Sequence, residues 1–320
     1  MMMARVDDTA HFCGQELKRN SLFKFALTTT MAWSKNIHEK RNSPEQILLG
    51  SMNTLYCVLL GLAVYLEVSF AAGFGLHHPF LFVHTDNANK NKKYISDVLC
   101  QIWNGPAFIK VKDRKIGTHS LRKYPATQAR QSGCSQDEMD TRGRWKKGRV
   151  SDVYVLTTLP YPDAKVAAIL CPGRPCKYKA AEGLGLSDPW LLENVMPAMA
   201  ASDKIDNKVA LTLSLPLLWA SMNAATDDIM PAGLKNRMKE AYASIGPATF
   251  GPEENPVENI LVIVTGLNAE LHIDEAVVVS GEDGEDGTNG NTVGTGAQRE
   301  DCATATLIRA LSSRVAGSDR

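Results

Sequence analysis

Gly117-Thr118-His119-Ser120-Leu121-Arg122-Lys123 is the stretch on which the reading of this chain turns. His119 and Arg122 stand three residues apart, so on a helix their side chains leave from nearly the same side. Trp145 follows Arg122 by 23 positions, and Tyr154 follows Trp145 by nine. A guanidinium, an imidazole and an indole N–H can clamp a phosphate, and a tyrosine hydroxyl can attack it. Singly, each residue has a plainer reading. His-x-x-Arg arises by chance in many chains, a tryptophan shortly after a glycine is usually core, and a tyrosine at a helix start is usually half-buried surface. The joint spacing is what carries information.

Working outward, Ser120 reads as the N-cap of a helix that Gly133 ends. Ser135-Gln136-Asp137-Glu138 is a capping-box pattern that opens a second helix, closed by Gly143. Trp145 then falls on a basic loop, Lys146-Lys147-Gly148-Arg149, and Tyr154 at the next helix start, near Ser151. Upstream, Phe12, Leu17 and Leu22 suggest a helix across residues 8–24. Residues 25–34 alternate and are rich in Thr, which predicts a strand, with Lys35-Asn36 as a turn and 46–49 as the returning strand. Residues 51–70 read as a buried helix. Its apolar run, 55–66, is bounded by Asn53 and Glu67 and is too short to span a bilayer. A polar loop at 86–93 precedes a helix at 94–103, and 110–115 is a basic connector.

After about residue 178 the character changes. Residues 190–200, 209–223 and 234–245 read as helices, and 257–279 is apolar, with helix and strand both open. Residues 281–298 are Gly, Asp, Glu and Asn with almost no apolar residue, the composition of a flexible linker. Residues 307–315 suggest a short amphipathic helix. The expected organisation is a domain over 1–178, a helical region over 179–280, a disordered linker over 281–298 and a tail over 299–320.

The 320 residues carry no net charge, but the two parts differ. Residues 1–180 hold 26 Lys+Arg against 14 Asp+Glu, and residues 181–320 hold 9 against 21. A basic half is the electrostatic footprint of a polyanion binder, nucleic acid first. The seven cysteines are scattered and odd in number, which argues against a disulfide framework and for a reducing compartment. Cys171 and Cys176 are expected as free thiols. Residues 1–8 lack the apolar region of a secretory signal, so the chain is not expected to be secreted.

The wording GTHSLRK…RGRW…VSDVY resembles the catalytic domain of the tyrosine recombinases, or phage-type integrases, and is most similar to the eukaryotic Crypton-type recombinases of mobile elements. The resemblance covers roughly residues 1–178. It implies an α+β fold, mainly helical, with a small antiparallel sheet, followed here by a helical acidic C-terminal region. It implies six catalytic residues: Arg5, Lys35, His119, Arg122, Trp145 and Tyr154. Arg5 stands in Arg5-Val6-Asp7-Asp8, which resembles the family's Arg-x-x-acid motif; Lys35, with Lys40 as rival, resembles its hairpin lysine. In the implied chemistry the arginines hold the phosphate, His119 is acid–base, Trp145 donates a hydrogen bond, and Lys35 protonates the leaving 5′ oxygen. Tyr154 forms a 3′-phosphotyrosyl intermediate, with neither metal nor cofactor. The implied partner is double-stranded DNA, bound by a homo-oligomer on paired sites, with no membrane, in the nucleus if the chain is eukaryotic and otherwise in the cytoplasm.

Two departures accompany the resemblance. The family places a DNA-clamping domain before the first Arg, so a chain starting near Arg5 is expected to be a fragment or a decayed copy. Pro125 falls inside the helix that carries Arg122. The alternatives are a DNA-binding remnant without activity and a type IB topoisomerase, a family that normally has His where Trp145 stands.

Overall fold

The computed structural model describes residues 3–21, 23–31, 33, 45–82, 85–106, 117–145, 162–171, 175–176, 178, 186–221 and 229–245. Over these the protein is mixed α+β and mainly helical, with a small antiparallel sheet. The sequence readings at Lys35, Lys40 and Tyr154, at 110–115, at 146–151 and beyond residue 245 lie outside the described residues.

A short helix, α1 (Val6–Ala10), is followed by a 3-10 turn at Gly14–Glu16 and by strands β1 (Leu17–Arg19), β2 (Leu27–Thr29) and β3 (Gln46–Leu48). The strands form an antiparallel sheet in the order β1-β2-β3, with Leu17 opposite Thr29 and Leu27 opposite Leu48. Of the strands expected at 25–34 and 46–49, Leu27–Thr29 and Gln46–Leu48 form and pair. The single helix expected across 8–24 is not. Phe12, Leu17 and Leu22 are five residues apart, and each such step turns about 140° round a helix, so no single face collects them. Instead Glu16 accepts the Cys13 N–H at 3.3 Å, closing the turn, and Leu17 enters the sheet.

After β4 (Gly50–Ser51), a 3-10 turn at Thr54–Tyr56 delays the buried helix, α2 (Val58–Ala71), whose N-cap is Cys57. Leu59, Leu60, Ala63, Val64 and Leu66 on α2 are buried. Among the described residues no helix is long and apolar enough to cross a membrane. Helix α3 (Ala88–Trp103) starts well before Tyr94, because the Asn87 side chain accepts from the Asn89 and Lys90 N–H groups at 3.0 and 3.2 Å.

Helices α4 (Ser120–Gln131), α5 (Gln136–Gly143) and α6 (Pro162–Ile169) pack around Met3, Ala129, Cys134, Met139, Val166 and Leu170. Strand β5 (Pro175–Cys176) pairs with β4. Helices α7 (Asp188–Asn194), α8 (Pro197–Ala200), α9 (Asn207–Ser221) and α10 (Ala232–Ile245) follow. Helix α9 lies against α2 and β1, and one apolar cluster runs from Phe12 through Leu60 and Leu217 to Met238. Glu67, buried in the second half of α2, ties this helix to α8 and α10. Its carboxylate accepts the Ala198 and Met199 N–H groups, both at 3.1 Å, and pairs with Arg237 at 2.7 Å.

Candidate functional site

The local rules hold in part around the histidine and arginine. The N-cap of α4 is His119 rather than Ser120, whose hydroxyl instead accepts the Gly117 N–H at 3.3 Å. Gly133, at φ +84°, takes the left-handed turn after the helix. Ser135 and Glu138 form the expected reciprocal cap of α5, at 3.3 and 2.7 Å. Pro125 is accommodated inside α4. It removes the backbone donor that would reach the Leu121 carbonyl, and the helix continues through it to Gln131. Arg122 precedes the proline, in the first turns of the helix.

The segment Thr141-Arg142-Gly143-Arg144-Trp145 then sets the place of Trp145, which lines the site. Arg142 is 1 % exposed; its guanidinium pairs with Asp163 at 2.5 Å and reaches the Ile47 carbonyl, joining α5 to α6 and β3. Gly143 does not take the left-handed turn that closes α5. Arg144 does, at φ +52°. Gly143 is needed for a different reason: a Cβ there would sit 2.8 Å from the Trp145 ring. The Trp145 backbone N–H donates to the Asp140 carbonyl at 2.9 Å, which fixes the main chain of Trp145 at the end of α5.

Arg122 is thereby held on three sides. It donates to the Gly143 carbonyl, its guanidinium carbon lies 5.0 Å from the Trp145 ring centroid, and its Nη1 is 3.7 Å from Asp8 Oδ2. Burial, and next the nearby Arg5 charge, bring the Arg122 guanidinium down to about 10; Arg144 adds to this and Asp8 opposes it. A cation in that position is short of counter-charge, and an entering anion would relieve it.

Arg5, His119, Arg122 and Trp145 line one cleft of about 660 Å³, together with Lys123, Ala126, Thr127, Arg130 and Gln131. Among the described residues no carboxylate lines it. The structure thus brings together four of the six residues singled out in the sequence; Lys35 and Tyr154 lie outside the described residues. Sequence reading missed Lys123, Thr127 and Arg130, although their spacing from His119 marks one helical face. It also missed the pairing of Asp8 with Arg144, at 2.6 Å, for which no local signal exists. Cys171 and Cys176 are free thiols, as expected. Among the described residues no group of three or more His, Cys, Asp or Glu side chains is placed to hold a metal ion. Compared with known proteins, the chain matches no family model, no curated protein and no solved structure.

Proposed function

We propose that this chain is a DNA strand transferase of the tyrosine recombinase type, with a recombinase catalytic core over its first part. The observation that carries the reading is the convergence of Arg5, His119, Arg122 and Trp145, up to 140 positions apart in the sequence, on one cleft that no acidic side chain lines among the described residues. The face of α4 from His119 to Arg130 extends about 16 Å, more than one phosphate needs. Phosphates along a strand rise about 3.4 Å per nucleotide, so the cleft suits a nucleic-acid strand better than a small anion.

In this reading Arg5 and Arg122 hold the two non-bridging oxygens of the scissile phosphate, and the Trp145 indole N–H donates to one of them. The Tyr154 oxygen attacks phosphorus as the bond to the 5′ oxygen breaks. The phenolic proton passes to His119, and Lys35 supplies a proton to the leaving 5′ oxygen. The 3′-phosphotyrosyl bond keeps the energy of the broken one, and attack by a 5′-hydroxyl of another strand reverses the step. The arginines act most where charge builds up in the five-coordinate state, an effect worth about 10³–10⁵ in rate in other phosphoryl transfers.

A nicked suicide duplex tests this. Incubation should give a shifted band that survives SDS and disappears in Tyr154→Phe. Salt-sensitive DNA binding with no adduct under any condition would favour an inactive DNA-binding remnant instead. Relaxation of supercoiled plasmid without strand exchange would favour a topoisomerase.

A further inference from the structure

Arg144 is 4 % exposed and sits at φ +52°, a backbone region that residues with a Cβ rarely adopt. Glycine would turn this corner without strain. What the position gains from arginine is the guanidinium. Its Nη2 donates to Asp8 Oδ2 at 2.6 Å, and its Nη1 donates to the Met31 carbonyl at 3.1 Å. Met31, at the exit from β2, is the other non-glycine residue with positive φ among those described, at φ +40°. One side chain therefore ties α1, the end of β2 and the Trp145 turn together.

Asp8 is shared. The same Oδ2 accepts the Arg5 N–H at 2.9 Å and lies 3.7 Å from Arg122 Nη1. One carboxylate thus faces two guanidinium groups, and the shorter contact is to Arg144. Asp8 is 1 % exposed, so salt screens neither interaction well. Without Arg144 the whole Asp8 charge would fall on Arg122, and a carboxylate and a guanidinium close into a bidentate pair when nothing holds them apart. We propose that Arg144 is a positioning residue: by occupying the Asp8 carboxylate it leaves Arg122 turned to the cleft and free to hold an anion. The proposal rests on reading the cleft as a phosphate site.

The test is a calorimetric titration of inorganic phosphate into the full chain and into Arg144→Met, Asp8→Asn and the double variant. Wild type should bind. Arg144→Met should bind about tenfold more weakly, within the range of couplings between groups in contact. Asp8→Asn alone should bind at least as well as wild type. The double variant should recover most of the loss, because the carboxylate that captures Arg122 is gone. A residue that only supported the fold would not be rescued by removing a second buried group. Arg144→Gly, which removes the guanidinium and the backbone strain together, stands in if Arg144→Met does not fold. Undiminished binding by the Arg144 variants, no recovery in the double variant, or a large loss in Asp8→Asn overturns the proposal. Absence of phosphate binding by wild type overturns the phosphate-site reading itself.

Discussion

Gly143 has no side chain because the Trp145 ring occupies the space one would fill. Adding a methyl group there forces the indole off Arg122 or opens the end of α5. Gly143→Ala is therefore expected to cost about 1–3 kcal/mol, as overpacking does, and to lower the yield of any covalent DNA adduct. Urea unfolding and the suicide-duplex assay read the two effects, and an unchanged denaturation midpoint would refute the contact. Arg142 behaves differently. Its loss strands Asp163 as a buried charge that is 4 % exposed, so Arg142→Leu should cost about 3–5 kcal/mol, with little or no folded protein recovered. At this scale the sequence is legible where a rule is local: the Ser135 cap and the Gly133 turn follow from their neighbours. The left-handed turn at Arg144 is not legible, because its reason is a carboxylate 136 positions away.

A single helix face sets the length of the cleft. On α4, Lys123, Thr127 and Arg130 continue the row begun by His119, and this spacing could be counted in the sequence once the helix was accepted. Lys123 and Arg130 are exposed and make no ion pair among the described residues; Arg130 Nη1 donates to the Cys134 carbonyl at a long 3.5 Å, a bond that leaves its charge unpaired for a backbone phosphate. If DNA lies along the cleft, Lys123→Gln and Arg130→Gln should each reduce the slope of log affinity against log salt by about one. Adduct formation at saturating DNA should stay near wild type, since neither residue belongs to the proposed reacting set. Slopes identical to wild type would place the strand elsewhere. The short sheet was legible from the alternation around residues 25–34 and at 46–49. The helix expected across 8–24 failed because spacing of five was read as helical, when only tertiary pairing could decide where Leu17 would go.

At the scale of the molecule, composition changes near residue 178, yet Leu191, Val195, Leu213 and Leu217 share an apolar core with Leu59, Leu60 and Leu66. Charge counts report surfaces and say little about which helices pack together. Cys57, Cys176 and Tyr178 belong to that same core. Burial, and then the neighbouring Cys57, push the Cys176 thiol up from its ordinary 9.0 to about 12. Burial also raises the Cys171 thiol and the Tyr178 hydroxyl, which donates to the Ser51 carbonyl at 3.2 Å. These folded-state values lie above the unfolded ones. The stabilisation is therefore fully present below the unfolded value and is lost as pH rises through the folded one, because the unfolded chain releases its protons first. Between pH 9.0 and about 12, Cys176 alone should make stability fall by up to about 1.4 kcal/mol per pH unit, and the other two groups steepen the decline. Urea midpoints measured across that range should drop continuously in wild type and less steeply in Cys176→Ala. A flat alkaline limb, or a slope the substitution leaves unmoved, would mean that these groups ionise in the folded protein as readily as in the unfolded chain.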